Sequence, residues 1–151
     1  MKLYFASDHA GFELKQFLLN FVITQGFEGI DAGPFVYDEN DDYPDTISKA
    51  AELISKNPED RAVVIGFSGQ GEAIVCNRYP NVRAVVYDGG SEEIINLSRA
   101  HNDANILSLG VKFINNDTIA ETVRQWLLTP FSNEERHIRR IKKIELLKPN
   151  N

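Results

Sequence analysis

The chain is poor in cysteine, with a single thiol at Cys76 among its 151 residues. One cysteine cannot form a disulfide within the chain, and it excludes a zinc site built from several cysteines. Because Cys76 follows Ile74 and Val75 in an apolar stretch, we predict a buried, unreactive core residue. A nucleophilic thiol is the alternative.

The sequence also lacks long apolar runs, an excess of positive charge and a secretory leader. No run approaches the roughly 20 apolar residues that cross a bilayer. The net charge of −6 argues against a general nucleic-acid-binding surface. The residues from Met1 to Phe5 enter an apolar strand without the basic segment and cleavage site of a signal peptide, so we expect a cytoplasmic protein. The length suits one domain, over residues 1–151, with a single core.

Strand and helix patterns alternate along the whole chain, which predicts an α/β fold with a parallel sheet covered on both faces. We predict five strands, at Lys2–Ser7, Phe27–Asp31, Arg61–Ile65, Val82–Tyr87 and Asn105–Leu109. The predicted helices include Ala10–Gln25, Asp45–Lys56, Ser91–Arg99 and Asp117–Leu128. Ser132 is predicted to cap a last basic helix that runs to about Leu147, with Glu135 in the capping-box position. Residues 148–151 are expected to fray.

A glycine-rich segment, Gly66–Ala73, follows the third predicted strand and opens a helix. Three glycines and Ser68 at such a turn expose backbone N–H groups, which favour an anion. Glu72 lies in the same turn, where a carboxylate could act as a base beside developing negative charge. The alternative is a glycine-rich turn in which Glu72 only favours the start of the helix.

Two histidine-containing segments carry polar side chains of the types used in catalysis. Asp8 and His9 follow the first strand, where Asp8 could accept from a hydroxyl group and His9 could donate to an anion. The alternative is that Asp8 only caps the helix. His101 and Asn102 precede the fifth strand, where His101 could move a proton and Asn102 could bond an oxyanion. A polar turn over residues 101–105 is the alternative.

Two arginines of the last helix, Arg136 and Arg140, are four residues apart and project from one face. Two forked guanidinium donors suit a phosphate group. A basic helix face that is only solvated is the alternative, although the pair stands out in an acidic chain.

In these segments the sequence resembles the family of ribose-5-phosphate isomerase type B and its relatives, the galactose-6-phosphate isomerase subunits. The matching segments are 7–11, 42–44, 66–72, 77–78, 101–105 and 129–141, in order along nearly the whole chain. The resemblance implies a three-layer αβα sandwich with a Rossmann-like five-stranded parallel sheet. It also implies a homodimer, with a tetramer as the alternative, whose active sites lie at the subunit interface. The last helix, about 132–147, is expected to pack on the partner.

The reaction implied by the resemblance is aldose–ketose isomerisation of a phosphorylated sugar through a cis-enediolate, with no metal and no organic cofactor. Many family members have Cys-Gly-Thr-Gly in the glycine loop, and that cysteine is the base. Here Gly66 takes its place, whereas Gly66–Glu72 is similar to a second branch that uses a glutamate. Phe67, in place of a glycine, and Lys112, in place of an arginine, are further departures.

The resemblance implies a role for each candidate residue. Glu72 is the base, His101 assists ring opening, Asp8 contacts sugar hydroxyls and Ser68 orients the base or a substrate oxygen. The enediolate would be bound by Phe67, Gly69, Gln70, Gly71 and Asn102. The phosphate would be bound by His9, Arg136, Arg140 and Lys112.

Two other functions stay open at the level of sequence. The departures at Phe67 and Lys112 allow a different sugar, such as allose 6-phosphate or galactose 6-phosphate. The missing loop cysteine allows a non-catalytic sugar-phosphate-binding subunit. Neither nucleic acid nor a membrane is expected as a partner.

Overall fold

The computed structural model describes residues 1–147 and forms a five-stranded parallel sheet in the order β2-β1-β3-β5-β4. The predicted fraying of residues 148–151 lies outside the described part. The strands are β1 (Lys2–Ser7), β2 (Glu28–Gly33), β3 (Arg61–Gly66), β4 (Ala84–Tyr87) and β5 (Ile106–Gly110). The predicted five-stranded parallel sheet is confirmed.

Helices cover both faces of this sheet and make the three layers of the fold. Their bounds are α1 (Phe12–Thr24), α2 (Tyr43–Lys56), α3 (Gln70–Cys76), α4 (Glu92–Asn102), α5 (Ile119–Leu128) and α6 (Glu135–Glu145). One core cluster joins one sheet face to α1, α4 and α5, and the other joins the opposite face to α2 and α3. The helix α6 packs on α4. No helix within residues 1–147 combines the length and apolarity needed to cross a membrane.

Side chains of the central strand β3 alternate between the two cores, as the two-residue period of a strand requires. Val63 and Ile65 pack with α1 and α5, whereas Ala62 and Val64 pack with α2. All four are fully buried, which fits a parallel strand with both faces covered. The central strands therefore hold their carboxyl ends on a rigid base.

Cys76 is confirmed as a buried core residue at the end of α3. Its side chain is fully buried among the α2-facing residues. Burial, with a smaller contribution from the nearby charge of Glu72, raises the pKa of this thiol to about 12. A thiol with so high a pKa holds almost no thiolate at neutral pH, so it is a poor nucleophile.

Two predictions about helix ends were wrong. The segment 101–105 is not a polar turn throughout, because α4 continues to Asn102 and Asp103 closes it in the left-handed conformation at φ 45°. Ser132 does not cap α6, whose N-cap is Glu134. Asn133 takes φ 55° and shifts the start of the helix by two residues. Ser91, the first residue of the predicted helix, is the N-cap of α4, and its side chain accepts from the N–H of Glu93.

Candidate active site

The carboxyl ends of β1 and β3 lie side by side at the point where the chain changes direction across the sheet. The chain leaves β1 into α1 on one face, and it leaves β3 into α3 on the opposite face. Such a switch point opens a crevice outside the carboxyl ends of the strands. Three segments meet at this edge, because Val111 and Lys112 donate to the carbonyls of Gly66 and Phe67, and the N–H of Asp8 donates to the carbonyl of Ile65.

The glycine loop presents unpaired backbone donors at this edge. Gly69 takes φ 76°, a left-handed conformation that glycine adopts without strain, and precedes α3. Within residues 1–147, the N–H groups of Phe67, Ser68 and Gly69 meet no acceptor. The Ser68 hydroxyl accepts from the N–H of Gln70 at 3.3 Å. The loop can therefore donate to an oxyanion.

Glu72 lies in the first turn of α3 and turns its carboxylate back over Gly66. A Cβ atom at position 66 would overlap Oε1 and Cδ of Glu72, so only glycine leaves this space free. The Glu72 residue is 4% exposed. Burial is the main cause that raises the pKa of Glu72, and the charge of Asp8 raises it further. The arrangement places a carboxyl group whose pKa is raised beside the unpaired N–H groups of the loop.

Asp8 and His9 complete the acidic side of the crevice. Asp8 Oδ1 accepts from the N–H of Gly11 at 3.0 Å, but Asp8 is not the helix cap of the alternative prediction, because Gly11 is the N-cap of α1. Burial raises the pKa of Asp8. His9 Nδ1 lies 2.6 Å from Oδ1 of Asp41. The hydrogen bond that His9 donates to the Asp41 carboxylate is the largest cause that raises the pKa of His9, so the imidazole holds its proton to higher pH.

Aromatic side chains border the glycine loop. The ring of Tyr43 lies against Gly71, where an added Cβ would come within 2.8 Å of the Tyr43 ring carbon Cζ. Phe67 is 57% exposed and meets the edge of Phe113 with ring centroids 6.5 Å apart. Lys112 is exposed beside them. These rings form an apolar rim around the loop donors.

The remaining candidate residues lie together at a second place, which is formed by the last turn of α4 and by α6. His101 and Asn102 occupy the last turn of α4, and the His101 ring stacks on His137 of α6 with centroids 4.2 Å apart. His137 is 2% exposed and bonds Oγ of Ser132 through Nδ1 at 2.8 Å. Burial, followed by the charge of His101, lowers the pKa of His137.

The two arginines of α6 are exposed beside this histidine pair. Arg136 reaches Glu134 at 2.8 Å, in an ion pair whose side chains are about half exposed. Arg140 is exposed as well. Water competes for such contacts, so a phosphate group can replace them at little cost.

The second place is at the opposite end of the sheet from Glu72. Asp103 follows Asn102 directly and reaches Arg61, the first residue of β3, at 3.7 Å. Glu72 covers Gly66, the last residue of the same strand. At a rise of about 3.3 Å per residue, the two ends of β3 are about 16 Å apart. A single chain therefore does not bring Glu72 and His101 into one site.

Sequence reasoning missed three side chains around these sites. Asp41 forms a hydrogen bond with His9, Asp103 forms ion pairs with three arginines, and the ring of His137 packs against that of His101. The acidic run from Asp38 to Asp42 was the only sequence signal for Asp41.

Residues 3–144 match the family described as Ribose/Galactose Isomerase. Ribose-5-phosphate isomerase B of Mycolicibacterium paratuberculosis is 39% identical over 93% of this chain and 87% of its own length. The Mycobacterium tuberculosis protein of the same name is 37% identical over 93% of this chain and 86% of its own length. The crystal structure of ribose-5-phosphate isomerase B from Mycoplasma genitalium with bound ribulose 5-phosphate is 33% identical. The structural alignment covers 95% of this chain and 93% of the Mycoplasma genitalium chain, with a TM-score of 0.90.

Proposed function

This chain belongs to the ribose/galactose isomerase family, and on that premise we propose that it interconverts ribose 5-phosphate and ribulose 5-phosphate through a cis-enediolate. Relatives named ribose-5-phosphate isomerase B align with 93% of the chain and support this substrate. The similar structure that holds ribulose 5-phosphate supports it further. The single observation that carries the proposal is the Glu72 carboxyl group, which is buried over Gly66 beside unpaired loop donors.

Glu72 is the proposed base. It takes the proton from C2 of the open-chain aldose and returns it to C1, so the same carboxylate serves both carbons on one face of the enediolate. A raised pKa suits this task, because it makes the carboxylate a stronger base. In the cysteine branch of the family the base projects from position 66. Here the carboxylate of Glu72 fills that space, so Gly66 and Glu72 replace the cysteine together.

The enediolate oxygens are the proposed ligands of the loop. Donors come from the backbone between Phe67 and Gly71, including Gly69 and Gln70, and from the Asn102 amide. Ser68 orients the base or a substrate oxygen. Each donor aimed at a developing oxyanion contributes about 10²–10³ to the rate. C2 is oxidised to the ketone as C1 is reduced to the alcohol, and a hydroxyl proton moves from the oxygen on C2 to the oxygen on C1. The redox change is therefore balanced within the sugar and requires no external electron acceptor.

Ring opening and phosphate binding are assigned to the polar residues around these donors. His101 transfers the proton that opens the furanose ring, and Asp8 contacts the sugar hydroxyl groups. His9, Arg136 and Arg140 bind the phosphate, with Lys112 as a further cation. A histidine whose pKa is raised and two exposed guanidinium groups supply the charge that a phosphate requires.

A homodimer with shared active sites completes this proposal. Glu72 and His101 are at opposite ends of β3 in one chain, so each site takes Glu72 from one chain and His101, Asn102, Arg136 and Arg140 from its partner. A two-fold axis makes two such sites at once. The helix α6 exposes its apolar residue Ile144 by 48%, which fits packing on the partner. One catalytic domain per chain and a cytoplasmic location belong to the same proposal.

The test is isomerisation of ribose 5-phosphate by the purified wild type and by Glu72→Gln, in the presence of a chelator. We expect turnover by the wild type and a loss of about 10³-fold or more in kcat for the variant, because the general base and its charge are removed. Glu93→Gln, which changes an exposed glutamate in the first turn of α4, is the matched control and keeps its activity.

The outcomes distinguish this function from the alternatives. Near-normal turnover by Glu72→Gln would remove Glu72 as the base. A higher kcat/KM for allose 6-phosphate or galactose 6-phosphate would replace ribose 5-phosphate as the substrate. No turnover of any of these sugars, together with tight binding of one, would leave a non-catalytic binding subunit.

A further inference from the structure

The loop of residues 34–42, between β2 and α2, is fastened to the first turns of α1. Lys15 is fully buried, and its ammonium group donates to the carbonyl of Pro34 at 2.5 Å. Further along the loop, the ring of Tyr37 meets Phe12 at a centroid distance of 5.9 Å and an interplanar angle of 78°. The loop therefore has a fixed position beside the residues that follow β1.

Asp41, near the end of this loop, places all of its side-chain hydrogen bonds on His9. Its Oδ1 accepts from the backbone N–H of His9 at 3.1 Å and lies 2.6 Å from the ring nitrogen Nδ1. Its Oδ2 is buried and meets no donor within the described part of the chain. The side chain of Asp41 is 10% exposed, whereas that of His9 is 39% exposed. The carboxylate holds the buried edge of the imidazole and leaves the other edge open.

This contact fixes which nitrogen of His9 is available to a ligand. A carboxylate at Nδ1 keeps a proton on that nitrogen. The remaining nitrogen, Nε2, can therefore bind an anion only as a donor, which requires the doubly protonated, cationic ring. The charged groups that face His9 are Asp8, Asp38 and Asp41, all acidic, and they favour this cation.

We propose that Asp41 is a positioning residue for the substrate phosphate, which holds the His9 ring so that Nε2–H donates to a phosphate oxygen. This inference rests on the proposed function, in which His9 binds the phosphate. It also gives a role to the acidic loop, since one of its carboxylates acts through His9 rather than repelling the anionic substrate directly.

The first experiment measures the pKa of His9 by NMR of the imidazole resonances in the wild type, Asp41→Asn and Glu39→Gln. Glu39 is an exposed acid of the same loop, so Glu39→Gln is the charge-matched control. We expect Asp41→Asn to lower the pKa of His9 and Glu39→Gln to leave it nearly unchanged. An unchanged pKa in Asp41→Asn, or an equal fall in Glu39→Gln, would overturn the proposal. This measurement does not depend on activity, so it separates the role of Asp41 from the proposed isomerase function.

The second experiment measures kcat and KM for ribose 5-phosphate between pH 6 and pH 8. A larger fraction of the His9 rings is cationic at pH 6 than at pH 8 in both proteins. At pH 8 the wild type, in which Asp41 raises the pKa of His9, keeps a larger cationic fraction than Asp41→Asn. We therefore expect KM of Asp41→Asn to rise with kcat nearly unchanged, by about tenfold at pH 8 for each unit by which the pKa falls, and by less at pH 6.

A second variant tests whether Asp41 acts through His9 alone. In a His9→Gln background, Asp41→Asn should cause little further change in KM. An equal rise of KM in the wild-type and His9→Gln backgrounds would overturn the proposal, since Asp41 would then act by another route. If Asp41→Asn changes the fold, this double-variant comparison and the circular dichroism spectrum reveal it, because KM and kcat would then change in both backgrounds.

Discussion

Two carboxyl groups at opposite ends of the sheet have opposite surroundings. Glu72, at the carboxyl end, is buried near the charge of Asp8 and forms no ion pair within residues 1–147. Asp103, at the amino end, reaches the guanidinium groups of Arg99 at 2.8 Å, Arg83 at 3.0 Å and Arg61 at 3.7 Å. A buried charge that lacks a partner costs stability, whereas a paired one is held in place. The contrast therefore separates a carboxylate available for chemistry from one that holds the structure.

The amino-end cluster also explains how His101 and Asn102 are positioned. Asp103 ends α4 in the left-handed conformation, and Arg83 donates from Nε to the carbonyls of Asn102 and Asp103. Arg99 donates to the carbonyl of Ala104 at 2.6 Å. These contacts fix the last turn of α4, so His101 is presented from a rigid helix end rather than from a loop.

The largest effect is expected from a substitution at the carboxyl end that changes Gly66 and leaves residue Glu72 in the sequence. In Gly66→Ala the new methyl group overlaps the carboxylate of Glu72 and must displace it. Because a base that is misplaced by about an ångström loses on the order of 10² in rate, we expect kcat to fall by about that factor or more. Steady-state kinetics measure it. Gly90→Ala is the matched control, since a Cβ there meets nothing within 4 Å. Equal activity of the two variants would contradict the geometry of Glu72.

The next largest effect is expected from a substitution that breaks the ion pairs of Asp103 at the amino end of the sheet. Asp103→Asn removes the counter-charge that Arg61 and Arg99 share, whereas Arg83 keeps its pair with Glu145. We expect a loss of about 2–3 kcal/mol in the free energy of unfolding. This lies at or below the lower end of the range for buried pairs, because the Asp103 side chain is 28% exposed. Asparagine tolerates the left-handed backbone at φ 45°, so the loss reports charge. Urea titration measures it. Glu121→Gln, which breaks an exposed pair with Arg124, should leave the midpoint nearly unchanged.

The smallest expected effect is a gain of stability in Glu72→Gln, opposite in sign to the loss expected for Asp103→Asn. The pKa of Glu72 is raised in the folded state, so its contribution to stability is complete below the unfolded pKa and is lost as pH rises. Glutamine does not ionise, so Glu72→Gln does not lose stability in this way as pH rises. We therefore expect the variant to match the wild type near pH 4 and to have the higher Tm at pH 7–8. A lower Tm of the variant at neutral pH would indicate a partner for Glu72 and contradict its unpaired state.

The fold could be predicted closely from local patterns. The alternation of apolar strands with amphipathic helices fixed five strands, and Gly66–Glu72 could be placed at a strand-to-helix turn from glycine spacing alone. The errors occurred where a distant contact decides the local backbone. The helix α4 continues past the predicted end at Arg99 to Asp103, whose carboxylate meets Arg61 of β3 and Arg83, which precedes β4. The turn at Asn133 moves the start of α6 away from Ser132.

The candidate site was predictable in composition but not in arrangement. The types of residue at Asp8, His9 and Glu72 indicated proton transfer and anion binding. The pairing of His9 with Asp41 joins residues 32 apart, and no periodicity records such a contact. The separation of Glu72 from His101 was implicit in the pattern, because Glu72 follows β3 and His101 precedes β5, and such positions lie at opposite ends of a parallel sheet. What the sequence does not record is which side chains of a second chain would meet Glu72.

The most direct test of a site shared between two chains is complementation of two inactive variants, Glu72→Gln and His101→Asn. Each is expected to be inactive alone, and subunit exchange should form mixed dimers that contain one intact site. With random pairing, the mixture should recover about a quarter of the wild-type activity, since half of the dimers are mixed and each has one of two sites intact. Activity that stays at the sum of the two parents after verified exchange would contradict the account, because Glu72 and His101 would then act within the same chain.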